Sequence, residues 1–417
     1  MTRTAVLEAI DKEFEQILAD RDIETVFQPV FHLPSRTVVG YEALVRGPEA
    51  SALPTADSLV AAAERTGRLV EFDWVARASA CRNALQAGMG TDHLLLLNFE
   101  PIALNADCPS DVWPDIERGF RTCRVVLEVT ERSLDRDPGE LLEGVERQRT
   151  QVAGIGMDDV GSEPSTVAFL PLIAPNVIKI DRSVIQAAPD AHAARVFSAV
   201  HQEAERTGAV ILAEGIETAD HQHYALAQGA QVGQGFHLGR PAPLPSPLRR
   251  PVQRTALRRS TPVFVASPFD ALSGQIDGTG GDDLLLTLTR DLAAFAEASM
   301  PALYVSVLPG GRRLGDEELK RLARLARGGS FTAVIGPDVT PDPGYGVRGI
   351  GARHGWLPRD EWAAIAVGPG MSAALLALRA PDGDGWLFGI THDASRVAAA
   401  AHSVVRLVGV PGSSRSL

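Results

Sequence analysis

The sequence predicts an α/β protein in two parts. A closed β/α barrel occupies residues 1–240, and a smaller mixed α/β domain follows over residues 262–413. Three observations carry this reading. Short apolar runs alternate with amphipathic helical stretches through the first part, which is the grammar of parallel β/α units. Residues able to do chemistry (Glu42, Asn98, Glu128, Asp158, Lys179, Glu214, Gln234) fall near the C-terminal ends of those runs. A barrel gathers such ends on one rim, whereas an open sheet strings them along an edge. Finally, a proline- and arginine-rich stretch over 241–261 interrupts both patterns and reads as a semi-stiff linker, solvated in the first reading, with its arginines lying against the acidic barrel or touching phosphate as the alternative.

Each element follows from local pattern. Val6, Ile10, Phe14, Ile17 and Leu18 recur at helical spacing and predict a helix over 5–19. Strands over 26–33 and 38–44 flank a turn at Pro34-Ser35, and helices over 55–65 and 71–87 follow. Leu94–Asn98 is a nearly continuous apolar run, expected as a buried strand that opens into a loop at Pro101. Strand–helix pairs then recur: 125–128 with 138–152, and 154–159 with a stretch around 167–173. The series continues with 177–181 and 191–206, then 210–214 and 219–228, and closes at Gly233-Gln234-Gly235.

In the second part, Val263-Phe264-Val265 reads as a strand, 267–277 as a loop or short helix, and 284–297 as a helix. Strands are expected over 302–308, 331–335, 362–367 and 386–390, with helices over 316–327 and 395–407. The apolar run 373–378 fits a helix or a strand. Trp362 and Trp386 read as core aromatics and His392-Asp393 as a turn or cap. The tail 414–417 is expected to be loose.

Composition excludes several classes. With 45% hydrophobic and 22% charged residues, the chain is globular in character. Three cysteines (Cys81, Cys108, Cys123) are too few and scattered for a disulfide scaffold or a cysteine-built metal site. No apolar run approaches the ~18 residues of a membrane span, so a cytoplasmic protein without membrane contact is expected. Residues 1–239 carry 36 acidic and 20 basic side chains, a poor match for long nucleic acid. Residues 240–261 carry six arginines and no acid.

The acids delivered by apolar strands suggest the chemistry. Asp158-Asp159 ends a strand, L-E-V-T-E brings Glu128 and Glu131, and A-E-G-I-E-T brings Glu214 and Glu217. Adjacent carboxylates repel one another, and a bridging cation removes that cost. All the donors are oxygens, which selects Mg²⁺ or Mn²⁺ over zinc or copper. Two such ions can clamp the attacking and leaving oxygens of a phosphodiester, with Lys179 adding positive charge beside the reaction. Glycosidases also place carboxylates on barrel rims, but they use two principal acids and the present set is larger. Glu217 reads equally as a helix cap or ion-pair partner, Asn98 as a turn residue, and Asp181-Arg182 as an edge ion pair.

Eight stretches in order resemble the EAL family of bacterial cyclic di-GMP phosphodiesterases, which are modified TIM barrels. They are F-Q-P-V from Phe27, Y-E-A-L-V-R from Tyr41, N-F-E-P from Asn98, L-E-V-T-E from Leu127, D-D-V-G from Asp158, V-I-K-I-D-R from Val177, A-E-G-I-E-T from Ala213 and Q-G-F-H-L-G-R-P from Gln234. The resemblance implies that Glu42, Asn98, Glu128 and Asp158 hold one metal, and that Asp159 holds a second with Glu214 and Glu217 lining its side. It further implies that Lys179 orients the water nucleophile, that Gln234 lies close to the metals, and that Gln28 and Arg46 hold the dinucleotide. A first strand antiparallel to the others, a homodimer through the barrel, and hydrolysis of cyclic di-GMP to linear pGpG are also implied.

The resemblance departs at one loop. Where the family reads Phe-Gly-Thr-Gly after the aspartate pair, this chain has Val160-Gly161-Ser162-Glu163-Pro164. That departure raises an alternative: a receptor that binds the dinucleotide without turnover and signals through the second domain. The second domain resembles the DICT family of sensory domains at 261–265, 346–350, 361–369 and 388–394. Its ligand or protein partner is not legible in these residues.

Overall fold

Side chains alternate across a β-strand, so one parity of each barrel strand faces inward and the other meets the surrounding helices. The computed structural model describes residues 3–104, 106–130, 137–258, 262–299, 303–350, 360–368 and 370–408. After α1 (Arg3–Ala19) come β1 (Glu24–His32), β2 (Thr37–Arg46), α2 (Ala56–Arg65), α3 (Leu69–Gln86) and β3 (Leu94–Phe99). Next are α4 (Pro101–Leu104), α5 (Trp113–Thr122), β4 (Arg124–Val129), α6 (Pro138–Arg149), β5 (Gly154–Val160) and α7 (Pro164–Ile173). Then β6 (Val177–Ile180), α8 (Arg182–Gln186), α9 (Ala191–Thr207), β7 (Val210–Ala213), α10 (Ala219–Ala227) and β8 (Val232–Gly233) complete a closed eight-stranded barrel. β1 is antiparallel to both of its neighbours, β2 and β8, while β2 to β8 run parallel. The modified TIM barrel expected from the sequence is therefore the fold observed.

The lower barrel interior is filled by Val39, Leu94, Leu96, Val126, Val177, Val210, Leu212 and Val232. The opposite parity, including Leu95, Leu97, Val125, Leu127, Ile178 and Ile180, joins the layer of helices. One step further up, on the inward parity, lie Asn98, Glu128, Asp158 and Lys179. Apolar filling below and polar residues above follow directly from this period of two.

Several local expectations change. Pro101 begins the short helix α4 where a loop was expected, α5 follows from Trp113, and Gly119 on α5 sits so close to Cys81 that a Cβ would lie 2.5 Å from its sulfur. Asp181 caps α8, accepting from Ser183 N at 2.8 Å, which is its role in place of an edge ion pair. The segment after Gly239 has many exposed residues but is tied to the barrel at several points, where a solvated linker was the first reading. Ala242 pairs with Phe27, Arg124 donates to Thr255 O at 2.8 Å, Asn176 donates to Arg258 O at 2.6 Å, and Leu257 packs on the lower interior residues. Arg254 donates to Thr91 O and, with Arg250, lies near Asp92. The segment thus straps the N-terminal end of the barrel.

The second part comprises a 3₁₀ turn at Phe269–Leu272, then β9 (Gly278–Gly280), α11 (Asp282–Ser299), β10 (Leu303–Val307), α12 (Asp316–Arg327) and β11 (Phe331–Ile335). It ends with β12 (Arg348–Ile350), β13 (Glu361–Gly368), β14 (Met371–Arg379), β15 (Trp386–Thr391) and α13 (Ala394–Val405). These strands form one mixed sheet in the order β12-β11-β10-β13-β14-β15-β9. The run 373–378 is a strand, because it pairs on both sides with β13 and β15. The strand expected at 263–265 is absent: Val263 and Phe264 are exposed, and Phe264 rests its ring edge on His402. Trp362 and Trp386 are buried and meet edge to face at 5.8 Å, and Asp393 caps α13. Glu131 and the tail 414–417 lie outside the described residues.

The two faces of this sheet are covered differently. Ala364, Ala366 and Leu375 pack under α11 and α12. Ala363, Ile365 and Phe331 belong to the same apolar cluster as the barrel helices. Phe169 of α7 meets Phe331 edge to face at 5.2 Å, α13 packs on α7, and Gly139 N of α6 donates to Val408 O at 3.1 Å. No helix among the described residues is long and apolar enough to cross a membrane.

Candidate active site

Seven of the residues singled out in the sequence converge at the C-terminal end of the barrel. Lys179 Nζ stands at their centre, 1% exposed, and reaches Asp158 Oδ1 at 2.8 Å, Glu214 Oε1 at 2.9 Å, and Glu42 Oε1 and Glu128 Oε1 at 3.2 Å each. Gln234 Nε2 donates to Glu42 Oε2 at 2.6 Å and to Glu214 Oε1 at 2.9 Å. Asn98 Nδ2 donates to Glu42 Oε1 at 3.3 Å. Gly156 on β5 leaves room for Glu128, since a Cβ there would lie 3.2 Å from Glu128 Cγ.

The aspartate pair depends on a backbone irregularity. Adjacent strand residues point to opposite faces, yet the β5–β6 register shifts between Met157 and Val160, and Asp159 takes φ of 51°. Such a bulge re-aims a side chain. Left-handed backbone is uncommon outside glycine, with aspartate and asparagine the best-tolerated exceptions. Asp158 Oδ1 accepts from Asp159 N at 3.0 Å, which secures the turn.

Two acidic triplets result. Glu42, Glu128 and Asp158 can each bring one carboxylate oxygen within 4.8 Å of the others, and so can Asp158, Asp159 and Glu214. Asp158 belongs to both. Both Glu128 oxygens are buried and accept no hydrogen bond; the 3.2 Å approach of Lys179 is an ion pair of poor hydrogen-bond geometry. A fully buried carboxylate without hydrogen bonds is costly unless another cation serves it. Oxygen-only donors in two triplets with a shared member fit a pair of Mg²⁺-like ions.

Burial raises Glu128 and Glu214 well above the ordinary carboxylate range; Lys179 opposes this, and the neighbouring acids add to it. Asp158 is raised for the same reasons. Burial also acts on Glu42, but Lys179 and the Gln234 and Asn98 amides outweigh it and hold the group low. Desolvation pulls the Lys179 ammonium down, whereas four carboxylates lift it well above an ordinary lysine. It stays protonated.

Beside the triplets opens a cavity of about 280 Å³, walled by Leu44, Phe72, Phe99, Asn98, Asp158 and Asp159, among others. Gln28 pairs in register with Glu42 and donates to Gly239 O at 3.2 Å. Arg46 is half-buried and donates to Val45 O at 2.7 Å. Glu217 is exposed and belongs to neither triplet. Sequence reasoning missed Asp73 and Arg77, a buried ion pair one helical turn apart on the cavity wall. Arg77 stacks on Trp74, and Asp73 Oδ1 accepts from Glu100 N at 2.8 Å. An acid and a base four residues apart, set among Phe72, Trp74, Val75 and Ala78, was the available signal.

A family model described as the EAL domain matches residues 11–241. The chain belongs to the EAL domain family. Among curated proteins it is 28% identical over 242 residues to the cyclic di-GMP phosphodiesterase NbdA of Pseudomonas aeruginosa, covering 56% of this chain and 31% of that protein. It is 30% identical over 239 residues to the bifunctional diguanylate cyclase/cyclic di-GMP phosphodiesterase MucR of the same organism, covering 55% and 35% respectively. The EAL chain thus spans about a third of the length of these relatives. The solved structure of the PaMucR phosphodiesterase in complex with c-di-GMP is 27% identical, with a TM-score of 0.48, and covers 56% of this chain and 98% of that one.

Proposed function

We propose that this EAL barrel hydrolyses one phosphodiester of cyclic di-GMP to give linear pGpG, with Mg²⁺ or Mn²⁺ as the metal. The observation that carries the proposal is the pair of carboxylate triplets joined through Asp158 beside a protonated Lys179. The names of the curated relatives support the same substrate. Glu42, Asn98, Glu128 and Asp158 are assigned to one ion, and Asp158, Asp159 and Glu214 to the other. When bound, the ions supply neutralisation of the phosphate and acidification of a water at neutral pH.

The chain's own groups do the rest. Lys179 keeps a fixed positive charge beside the place where water attacks and negative charge develops. Gln234 bridges Glu42 and Glu214 and fixes the direction of both carboxylates. Leu44, Phe72 and Phe99 offer apolar walls for a base, while Gln28 and Arg46 on the rim are assigned to the dinucleotide. Glu217 is assigned an outer position on the second metal's side.

The atypical loop has a local explanation that supports turnover over the silent-receptor alternative. Pro164 takes the first position of α7, where proline's missing N–H is no loss. Ser162 Oγ donates to Asp159 O at 2.7 Å, and Gly161 N donates to Thr166 Oγ1 at 2.9 Å, so the loop stays tied to the metal-side backbone. The second domain is assigned a regulatory, DICT-like sensory role, because it rests on α7, the helix that this loop opens. A barrel homodimer is assigned to surface other than the α7 face, which the second domain covers. A cytoplasmic location agrees with three unpaired cysteines.

Incubating the full chain with cyclic di-GMP and Mn²⁺, with linear product followed by chromatography, tests this reading. Product from the wild type and none from Glu42→Ala is expected. Saturable binding without product at any divalent cation assigns the receptor role instead.

A further inference from the structure

The second domain holds a cavity of about 300 Å³ between α11 and α12, lined by no barrel residue and on the face of the sheet turned away from α7. Leu286, Thr289 and Arg290 of α11 form one wall; Glu317, Glu318 and Arg321 of α12 form the other; Arg312 closes one end from the preceding loop. Two of these lining residues are held by the buried Trp362, whose Nε1 donates to Thr289 Oγ1 at 3.1 Å and whose ring centre lies 4.8 Å from the Arg312 guanidinium.

The arginines are under-used. Arg312 Nη2 donates to Glu318 Oε2 at 3.3 Å, but Arg312 Nε is buried and has no hydrogen-bond partner. Arg321 stands 3.9 Å from Glu297, a carboxylate that Arg324 already engages with two nitrogens. Arg290 is exposed and meets no acid at ion-pair distance among the described residues. A buried guanidinium nitrogen without an acceptor is costly, and several guanidinium forks facing one cavity match the oxygens of a phosphate. The cavity is larger than an inorganic ion needs. Glu317 and Glu318 add acceptors that a ligand's hydroxyl or amino groups can satisfy.

We propose that this cavity binds a small organic phosphate carrying hydroxyl or amino donors, with Arg290, Arg312 and Arg321 holding the phosphate and Glu317 and Glu318 the donor groups. Arg312 grips from a rigid base, since its guanidinium is stacked on the Trp362 indole. The site is independent of the barrel chemistry and gives the second domain a ligand of defined class.

Titration calorimetry of the full chain in EDTA, with GMP, pyrophosphate and citrate as probes, tests the proposal. EDTA silences any cation-dependent binding in the barrel, and Lys179→Ala controls for what remains there. Saturable binding of GMP or pyrophosphate is expected, weakened tenfold or more by Arg290→Ala and by Arg312→Gln and retained in Lys179→Ala. Arg290 is exposed, so its substitution reports on the site even if Arg312→Gln perturbs the fold. The proposal is overturned by no binding of either phosphate up to about 5 mM, by smaller effects of both substitutions, by loss in Lys179→Ala, or by binding of citrate in preference to both phosphates.

Discussion

Lys179 Nζ lies 2.8 Å from Asp158 Oδ1, and Asp158 is the carboxylate that the two acidic triplets share. The buried ammonium therefore sits where both halves of the site meet. Four carboxylates face one lysine in a buried setting, so keeping all four ionised needs positive charge beyond that of Lys179.

Divalent cations should therefore stabilise the folded protein by mass action, by about 2.7 kcal/mol at a hundredfold excess over Kd. Calorimetric melting with Mg²⁺ or Mn²⁺ is expected to show a higher Tm than with EDTA. Asp158→Asn should abolish most of the difference, because it weakens both triplets at once. An equal Tm with and without cations, in the wild type, would count against the site.

The ion pair of Asp73 and Arg77 makes a separate point about stability. Both side chains are buried, and removing one partner strands the other. Arg77→Ala is expected to cost about 3–5 kcal/mol in urea unfolding, whereas Asp73→Leu with Arg77→Met should recover most of that loss. Equal losses in the single and double variants would mean that packing on Trp74, not charge, is what Arg77 supplies.

His402 gives a pH dependence with a defined sign. Burial, followed by Arg406 and Arg149, pushes this imidazole down to about 4 from 6.5. The unfolded chain binds the proton first, so stability contributed by keeping His402 neutral is complete above about pH 6.5 and lost progressively down to about pH 4. A loss near 3 kcal/mol over that window is expected. Because His402 packs on Phe264 at the junction with the barrel, acid should loosen the seating of the second domain. His402→Leu should remove this part of the acid sensitivity; an unchanged stability difference between pH 7 and pH 4.5 would contradict the assignment.

Phe331 joins the two parts of the chain. It is 6% exposed and its ring edge meets Phe169 on α7. Phe331→Ala is expected to cost about 3–5 kcal/mol and to alter barrel turnover, although Phe331 belongs to neither acidic triplet. Turnover unchanged in a variant of clearly reduced stability would show that the second domain does not act through α7.

The barrel was legible because its strands carry two messages at once. In Leu94–Asn98 and Val177–Lys179 the apolar residues mark a strand and the polar one marks its upper end. The candidate site was legible for the same reason: inward parity delivers Asn98, Glu128, Asp158 and Lys179 to one level. Asp159 is legible as the neighbour of Asp158 at a strand end where the chain can curl both carboxylates toward one site, but the bulge with positive φ that does this is not announced by composition. From sequence the segment after Gly239 reads as a solvated linker or as one whose arginines lie against the barrel, since proline and arginine describe a segment without regular structure equally well whether it is free or docked. The run 373–378 is apolar on both faces because α11 and α13 cover opposite sides of the sheet, and that removed the alternation that would have identified a strand.

Anomalous diffraction from crystals of the full chain grown with Mn²⁺ tests the two-triplet site most directly. Two peaks about 3.5–4 Å apart are expected, one among Glu42, Asn98, Glu128 and Asp158 and the other among Asp158, Asp159 and Glu214, with the Asp158 carboxylate touching both. A fully occupied lattice with no peak at the rim, or with manganese bound away from Asp158, would contradict the account.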